Sequence, residues 1–463
     1  MDDWKDQLAR RWASINKKQH SEQQTPRNAP PPQNASARRT EINLGIDFGT
    51  SFTKVIYRIV GPDISGIIPF ATDAPNCDEP MVPSLLWIDR DFRLYTAFEK
   101  RPIDASEIRY FKMHLAGMGI GRSFQPDFNL ETPVYRLLCA FYLFRILKAS
   151  KGLALRIEHL DSTNITWSGN VGIPIGYIES ESRPRFEEVV QVAAMLSERS
   201  MISDTPTLDE LDAAYRYCVS NPDPSAANFM VMSELEAEIT SLIDDASTKD
   251  GMYVLFDIGG GTVDGAAFSF KRENGEPRVN ILTALVAPLG FDATAEEIAK
   301  SVSSNDVAVA LRNGETNLRL NTERVKKSMH MHVSSVIVLA RKKTNYSWIE
   351  SMQELPVFLC GGGRHSTWHR TAIDETYGCN QHANVGIPRY SCMEMSLPNG
   401  PSAKYSGAKD HGRFLVAHGL SIPAGTHPPA VGFPRQNPQV EYAAYDAKSI
   451  LEERMYDLYG ELL

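Results

Sequence analysis

Two short turns in this sequence carry the residue types needed to hold phosphate. The first is Asp47-Phe48-Gly49-Thr50-Ser51. A glycine in a tight turn permits positive φ and a close backbone approach. Successive backbone N–H groups in such a turn form an anion-binding nest, and Thr50 and Ser51 add hydroxyl donors. Asp47 would repel phosphate unless a cation stood between them, which points to Mg2+ held directly or through water. The second turn, Asp257-Ile258-Gly259-Gly260-Gly261-Thr262, repeats the logic 210 residues later. Three consecutive glycines lose much chain entropy on folding, and phosphate contact is one requirement that would retain them. A single such turn reads most simply as a glycine β-turn. Two copies, each between apolar strands, point to two similar lobes facing each other.

A third glycine turn, Gly361-Gly362-Gly363-Arg364, follows an apolar strand at 356–360. Its glycines would let a flat base or ribose approach the backbone, and the Arg364 guanidinium could stack on a purine.

The elements that must position these turns are legible in outline. LGIDFGTSFTKVIYRIV and YVLFDIGGGTVDGAAFSFK read as strand–turn–strand, and WIDRDFRLY as a further hairpin. Residues 131–150 read as a buried helix. TWSGNVGIPIGYI reads as a strand leading to a helix over 184–199. Residues 203–226 read as helix and loop, and 291–313 and 322–332 as helical. LPVFLCGGGRHS is a strand entering a glycine turn, and 442–462 a final helix. Trp4, Leu8, Trp12 and Ile15 are spaced for a short amphipathic helix over 2–18, ahead of a Pro-rich linker.

The 463 residues are 42% hydrophobic and 23% charged, which excludes a disordered, collagen-like or coiled-coil chain. A net charge of −9 argues against a strongly basic nucleic-acid binder. The charge is uneven: residues 1–40 hold eight Lys/Arg and four Asp/Glu, or +4, leaving −13 for the rest. Six scattered cysteines suit a reducing compartment rather than a disulfide scaffold. No apolar run is long enough to span a membrane, and the N-terminus lacks a secretory h-region, so a cytoplasmic location is expected. Cys379, His382 and Cys392, with His365 and His369 nearby, match no standard zinc spacing and read as incidental.

LGIDFGTSFTK, LFDIGGGTVD and VFLCGGGR, in this order, resemble the phosphate-1, phosphate-2 and adenosine motifs of the actin-like ATPase superfamily. LFDIGGGTVD, SELEAEI (233–239), TERVKKS (322–328), RYFKMHLAG (109–117) and RFLVAHGLS (413–421) narrow the resemblance to the nucleotide-binding domain of the 70-kDa heat-shock chaperones, over residues 42–422. The resemblance implies an α/β, actin-like (ribonuclease H-like) fold, two lobes each with a mixed five-stranded sheet, and ATP in the central cleft. Lobe boundaries follow: an arm and linker over 1–40 and a first lobe over 41–249 with a small subdomain near 69–130. A second lobe spans 250–412 with a small subdomain near 291–355, and 413–463 returns to the first lobe and ends in a helix.

The resemblance also implies roles. Asp47 and Asp257 would organise Mg2+, Glu234 would lie near the metal and attacking water, and Lys112 would contact the γ-phosphate. Thr50, Ser51 and Thr262 would bind phosphate, with Asp264 as polar support. Glu323, Lys326 and Lys327 would clamp adenine, Lys327 standing where the family usually has Arg. Only 43 residues follow Leu420, too few for the β-sandwich of about 100 residues that grips peptides in those chaperones. The expectation is a slow ATPase switch read by a separate protein partner, with no nucleic acid involved. A small-molecule kinase, an actin-like filament protein and an ATP-binding pseudoenzyme are the alternatives.

Overall fold

The computed structural model describes residues 39–423 and 430–431, except 72–79, 119–122, 127–128, 175–181, 200, 245–247, 300–303, 315–321, 344–351, 396, 398–402, 406–407 and 409. The N-terminal helix over 2–18, its linker and the final helix near 442–462 lie outside the described residues. Within them the protein is a mixed α/β structure built on two mixed sheets.

The first sheet uses β1 (Thr40–Phe48), β2 (Phe52–Ile59), β3 (Ile64–Ile67), β4 (Ile165–Ile173) and β5 (Phe229–Ser233). Their order is β3-β2-β1-β4-β5. β1 pairs antiparallel with β2 and β2 with β3, while β1–β4 and β4–β5 are parallel. The second sheet uses β6 (Gly251–Ile258), β7 (Val263–Glu273), β8 (Glu276–Ala287), β9 (Glu354–Cys360) and β10 (Arg389–Glu394). Its order, β8-β7-β6-β9-β10, and its two antiparallel and two parallel pairings are the same. The repeat in the sequence is thus a repeat of topology, and Asp47 and Asp257 are each the penultimate residue of the first strand of their sheet.

Each sheet is wider than the five strands expected. Two-residue strands at Val82–Pro83 and Ala403–Lys404 extend the first, and Ala430–Val431 extends the second. These pairings also move the expected boundary at 413: residues 403–404 are already beside β3, and 430–431 lie beside β8 of the second lobe. The chain therefore contributes to both sheets near its return.

The helices cover the sheets. α1 (Phe111–Leu115) is short. α2 (Val134–Glu158) is buried on nearly every side from Leu137 to Leu147, as an apolar run without an amphipathic stripe requires. α3 (Ser182–Arg199) packs along it, and α4 (Leu208–Ser220) starts at a capping box of Thr207 and Glu210. The small-subdomain segment holds a three-stranded antiparallel sheet at 86–88, 94–95 and 106–108. The second lobe carries α6 (Phe291–Ile298), α7 (Ser304–Asn313), α8 (Thr322–Lys343) and α9 (Thr367–Cys379).

Two helices lie between the lobes, α5 (Glu234–Asp244) and α10 (Leu415–Ser421). One apolar cluster joins Ile56 and Ile67 of the first lobe to Leu235 and Ile239 of α5, Leu415 and Ala417 of α10, and Leu255 and Phe268 of the second sheet. A Cβ at Gly45 of β1 would collide with the backbone of α10 at Ala417 and Ser421, and one at Gly419 of α10 would collide with Ala237 of α5. Glycine at these two places lets strand and helices meet backbone to backbone, which fixes β1, and hence Asp47, against the crossover.

Candidate functional site

A cleft of roughly 410 Å3 opens between the two glycine turns, within the size range of small-molecule sites. Asp47, Gly49, Thr50 and Ser51 line it from the first hairpin, and Asp257, Gly259, Gly260 and Thr262 from the second. Lys112 and Glu234 reach it from α1 and α5, and Gly361, Gly362 and Gly363 from the end of β9. Most residues singled out from the sequence therefore share one cavity.

The first turn is braced from outside. The Ser84 hydroxyl donates to the Gly49 carbonyl at 2.6 Å, and the Ser84 amide to the Ser51 carbonyl at 2.9 Å. The second turn is braced by α6: the amides of Phe291 and Asp292 donate to the carbonyls of Gly259 and Gly260 at 2.9 and 2.8 Å. Gly361, at φ 75, would place any Cβ against the Asp257 carboxylate, so only glycine lets the third turn close over that residue.

Charge in the cleft is organised by two buried lysines. Lys54, opposite Asp47 in the β1–β2 register, donates to the Asp47 carboxylate. Lys112 donates to Glu234 at 2.7 Å and to the Phe48 carbonyl. Tyr110, held in the left-handed region at φ 59, turns the chain so that α1 begins with Lys112 facing inward.

The second lobe and α5 contribute carboxylates. Asp257 and Glu238 line the cleft, and Asp264 lies opposite Asp257 in the β6–β7 register. Asp264 accepts from the Thr262 hydroxyl at 2.8 Å. Burial, then the charges of Glu234 and Asp47, push the Asp257 carboxyl up to about 7. Burial among the neighbouring carboxylates pushes Glu238 and Asp264 well above the ordinary range, and burial also raises Glu234 against the opposing pull of Lys112. Both oxygens of Glu238, and Oδ1 of Asp257 and of Asp264, are buried without a hydrogen-bond partner. Five carboxylates thus face two lysines, and orphaned oxygens of this kind suit a divalent cation. Among the described residues no three His, Cys, Asp or Glu side chains converge closely enough to cage a metal directly. A hydrated Mg2+, which keeps several of its waters, fits that arrangement.

The base end differs from expectation. Arg364 is only 3% exposed, ion-paired with Asp410 and bonded to the Gly361 carbonyl at 2.9 Å, and it does not line the cleft. Its guanidinium is structural rather than free to stack. Its neighbour His365 lines the cleft instead, with Arg312 and Arg413. Arg312 lies over the Phe291 ring at 5.3 Å and Arg413 over Phe52 at 5.6 Å. Glu323, Lys326 and Lys327 sit at the start of α8 and are not among the lining residues; Lys326 pairs with Glu375, and Glu323 and Lys327 are exposed. Gly261 is also outside the lining, packed beside Thr50.

Sequence reasoning missed Lys54, Glu238 and Asp292. Lys54 could have been found from the register of a two-stranded turn, and Glu238 from its i+4 spacing to Glu234 on a helix. Asp292 follows no motif. His369 and His382 are bound internally, to Ser366 and the Leu289 carbonyl and to Ser334 and Tyr390, in keeping with an incidental Cys/His group.

No family model and no curated protein matches the chain. No helix among the described residues is long and apolar enough to cross a membrane.

Proposed function

We propose that this protein binds ATP with Mg2+ between its two lobes and hydrolyses it slowly, as a switch that a separate protein reads. The proposal includes an actin-like ATPase fold, with likeness to the nucleotide-binding domain of 70-kDa heat-shock chaperones, and a cytoplasmic setting. One observation carries it: Asp47 and Asp257, at equivalent positions in two hairpins of like topology, line one cleft together with Lys54 and Lys112.

The roles follow from the charges. Asp257, Glu238 and Asp47 would hold the hydrated metal, which when bound neutralises charge on the phosphate oxygens. Lys112 would exchange Glu234 for a phosphate oxygen. Glu234, released from that ion pair and made more basic by burial, could then accept a hydrogen bond from the attacking water. Thr50, Ser51 and Thr262 would donate hydroxyls to phosphate. Lobe closure around the ligand would be the signal, with the α5–α10 crossing as the place where it is felt.

A second reading, binding without turnover, is favoured by the Lys112–Glu234 ion pair, which occupies both groups. Hydrolysis of radiolabelled ATP decides between them. The wild type should release phosphate, and Asp47→Asn and Asp257→Asn should each slow release by about 100-fold or more. Magnesium-dependent ATP binding without phosphate release supports the second reading. Undiminished hydrolysis in both variants refutes the site.

A further inference from the structure

We infer that Asp292 is an internal competitor for the phosphate place, a clasp between the lobes that an incoming phosphate must displace from Ser51. The inference rests on reading the cleft as a phosphate site and concerns how that site is gated.

The Ser51 hydroxyl, at the tip of the first turn, donates to Asp292 Oδ2 in the first turn of α6, across the lobe boundary. A serine hydroxyl has one proton to donate. While Asp292 accepts it, a phosphate oxygen cannot.

The fit at the tip is tight. A Cβ on Gly260 would collide with the Ser51 hydroxyl and lie 3.0 Å from Asp292 Oδ2. The two turns therefore touch there, and a phosphate takes the Ser51 proton only by displacing Asp292. Asp292 is not a loose surface carboxylate. Its own amide and that of Ala293 donate to the Gly260 carbonyl, so it moves with the second turn.

A second bond crosses the boundary beside the first. The Tyr110 hydroxyl donates to Glu296 Oε1 at 3.3 Å, and Glu296 is one helical turn beyond Asp292. Arg109 and Arg312 are close enough to Asp292 to attract its charge. Burial nevertheless raises the Asp292 carboxyl against the pull of Ser51 and of these arginines, and Asp292 meets the same hydroxyl donor that the phosphate reading assigns to ligand. Binding would trade one anion for another and free Asp292, whose charge then opposes the phosphate that replaced it.

The test compares wild type with Asp292→Ala, Asp292→Asn and Tyr110→Phe. Titration calorimetry with Mg-ADP and Mg-ATP gives affinity, and hydrogen exchange of the nucleotide-free proteins gives protection of residues 49–52. Asp292→Ala should bind Mg-nucleotide about tenfold more tightly, the equivalent of losing one charge-assisted competitor. Asp292→Asn should gain less, because its amide oxygen still accepts from Ser51. Both should exchange faster at 49–52 without nucleotide, and Tyr110→Phe should show a smaller change in the same direction. Unchanged or weaker nucleotide affinity in Asp292→Asn, with its melting temperature preserved, would overturn the competition. If no protein, wild type included, takes up Mg-nucleotide, the proposed function fails and the competition with it, while faster exchange in the variants would still mark a clasp between lobes.

Discussion

Asp257 lies directly across the β6–β7 ladder from Asp264, whereas Asp47, at the equivalent place in the first hairpin, lies across from Lys54. The two hairpins share topology but not charge. The first neutralises its own aspartate, and the second brings two carboxylates together and adds Glu238 from α5. The pairing of like folds with unlike charge gives the cleft an ion-paired wall, Lys54 with Asp47 and Lys112 with Glu234, and an anionic wall. Under the proposed function, a magnesium–triphosphate would bring its cation to the anionic wall and its phosphate oxygens to Lys112.

The anionic wall predicts how stability depends on pH. The Asp257 carboxyl is raised to about 7 by burial and by neighbouring carboxylates, and Glu238 and Asp264 are raised as well. An unfolded aspartate titrates near 3.9. Above about pH 4 these folded carboxyls hold protons that the unfolded chain has lost, so their contribution falls as pH rises, whereas the buried, neutral His332, His369, His382 and His418 contribute the opposite slope up to about pH 6.5. Thermal melts of the nucleotide-free protein should show a lower melting temperature at pH 8 than at pH 7, a range in which the histidines of the unfolded chain are already mostly neutral. Glu238→Gln, which removes one buried charge, should flatten the dependence and raise the pH 8 melting temperature by a few degrees. Mg2+ should do the same to the wild type and little to Glu238→Gln. A wild-type melting temperature that rises from pH 7 to pH 8 would count against the anionic wall.

The ion-paired wall makes the opposite case. Lys54 and Asp47 are both buried and ion-paired. Removing one partner leaves the other charge stranded, at a cost of about 3 kcal/mol, while removing both costs much less. In urea denaturation Lys54→Met should be destabilised by about that amount, and Lys54→Met/Asp47→Asn should recover most of it. Additive losses would show that the pair is not coupled.

Much of the site was legible because the turns announce themselves. Asp47, Asp257 and the glycines beside them are dictated by local chemistry, and a strand–turn–strand delivers its tip wherever the strands go. The Lys112–Glu234 pair was reachable only by resemblance, since it joins α1 to α5 across 122 residues. The burial of Arg364 was hidden for a geometric reason. The turn after β9 is a single 3-10 turn, and it buries Arg364 against Asp410 while leaving His365 toward the cleft. A sequence shows that an arginine follows three glycines, but not which of two adjacent side chains the turn directs inward. The short edge strands were equally hidden, because a two-residue pairing has no periodicity.

The helix crossing offers a test of the architecture that does not depend on nucleotide. Gly419 of α10 packs against the backbone at Ala237, where a methyl group has no flexible neighbour to displace. Gly419→Ala should force the helices apart and cost about 2 kcal/mol or more. Gly152, inside α2, has nothing within 4 Å of its would-be Cβ. Gly152→Ala should instead stabilise by roughly 0.5–1 kcal/mol through reduced freedom of the unfolded chain. Equal effects of the two substitutions in chemical denaturation would contradict the close crossing.

The third glycine turn separates a buried arginine from a cleft-lining histidine. Arg364 is buried and tied to Asp410, with Glu394 at 3.7 Å. Arg364→Ala leaves Asp410 with His365 and Glu394 with Arg370 and should lower stability by about 2 kcal/mol through the lost charged hydrogen bonds, while leaving the ratio of ATP to GTP affinity unchanged in the protein that remains folded. His365 is 54% exposed in its side chain and lines the cleft. His365→Ala should cost little stability, since its bond to Asp410 is an exposed one, yet weaken nucleotide binding roughly fivefold, about 1 kcal/mol of contact. Paired melts and titrations of the two variants read both effects. A change of base preference in Arg364→Ala, with His365→Ala silent, would restore the arginine to the ligand.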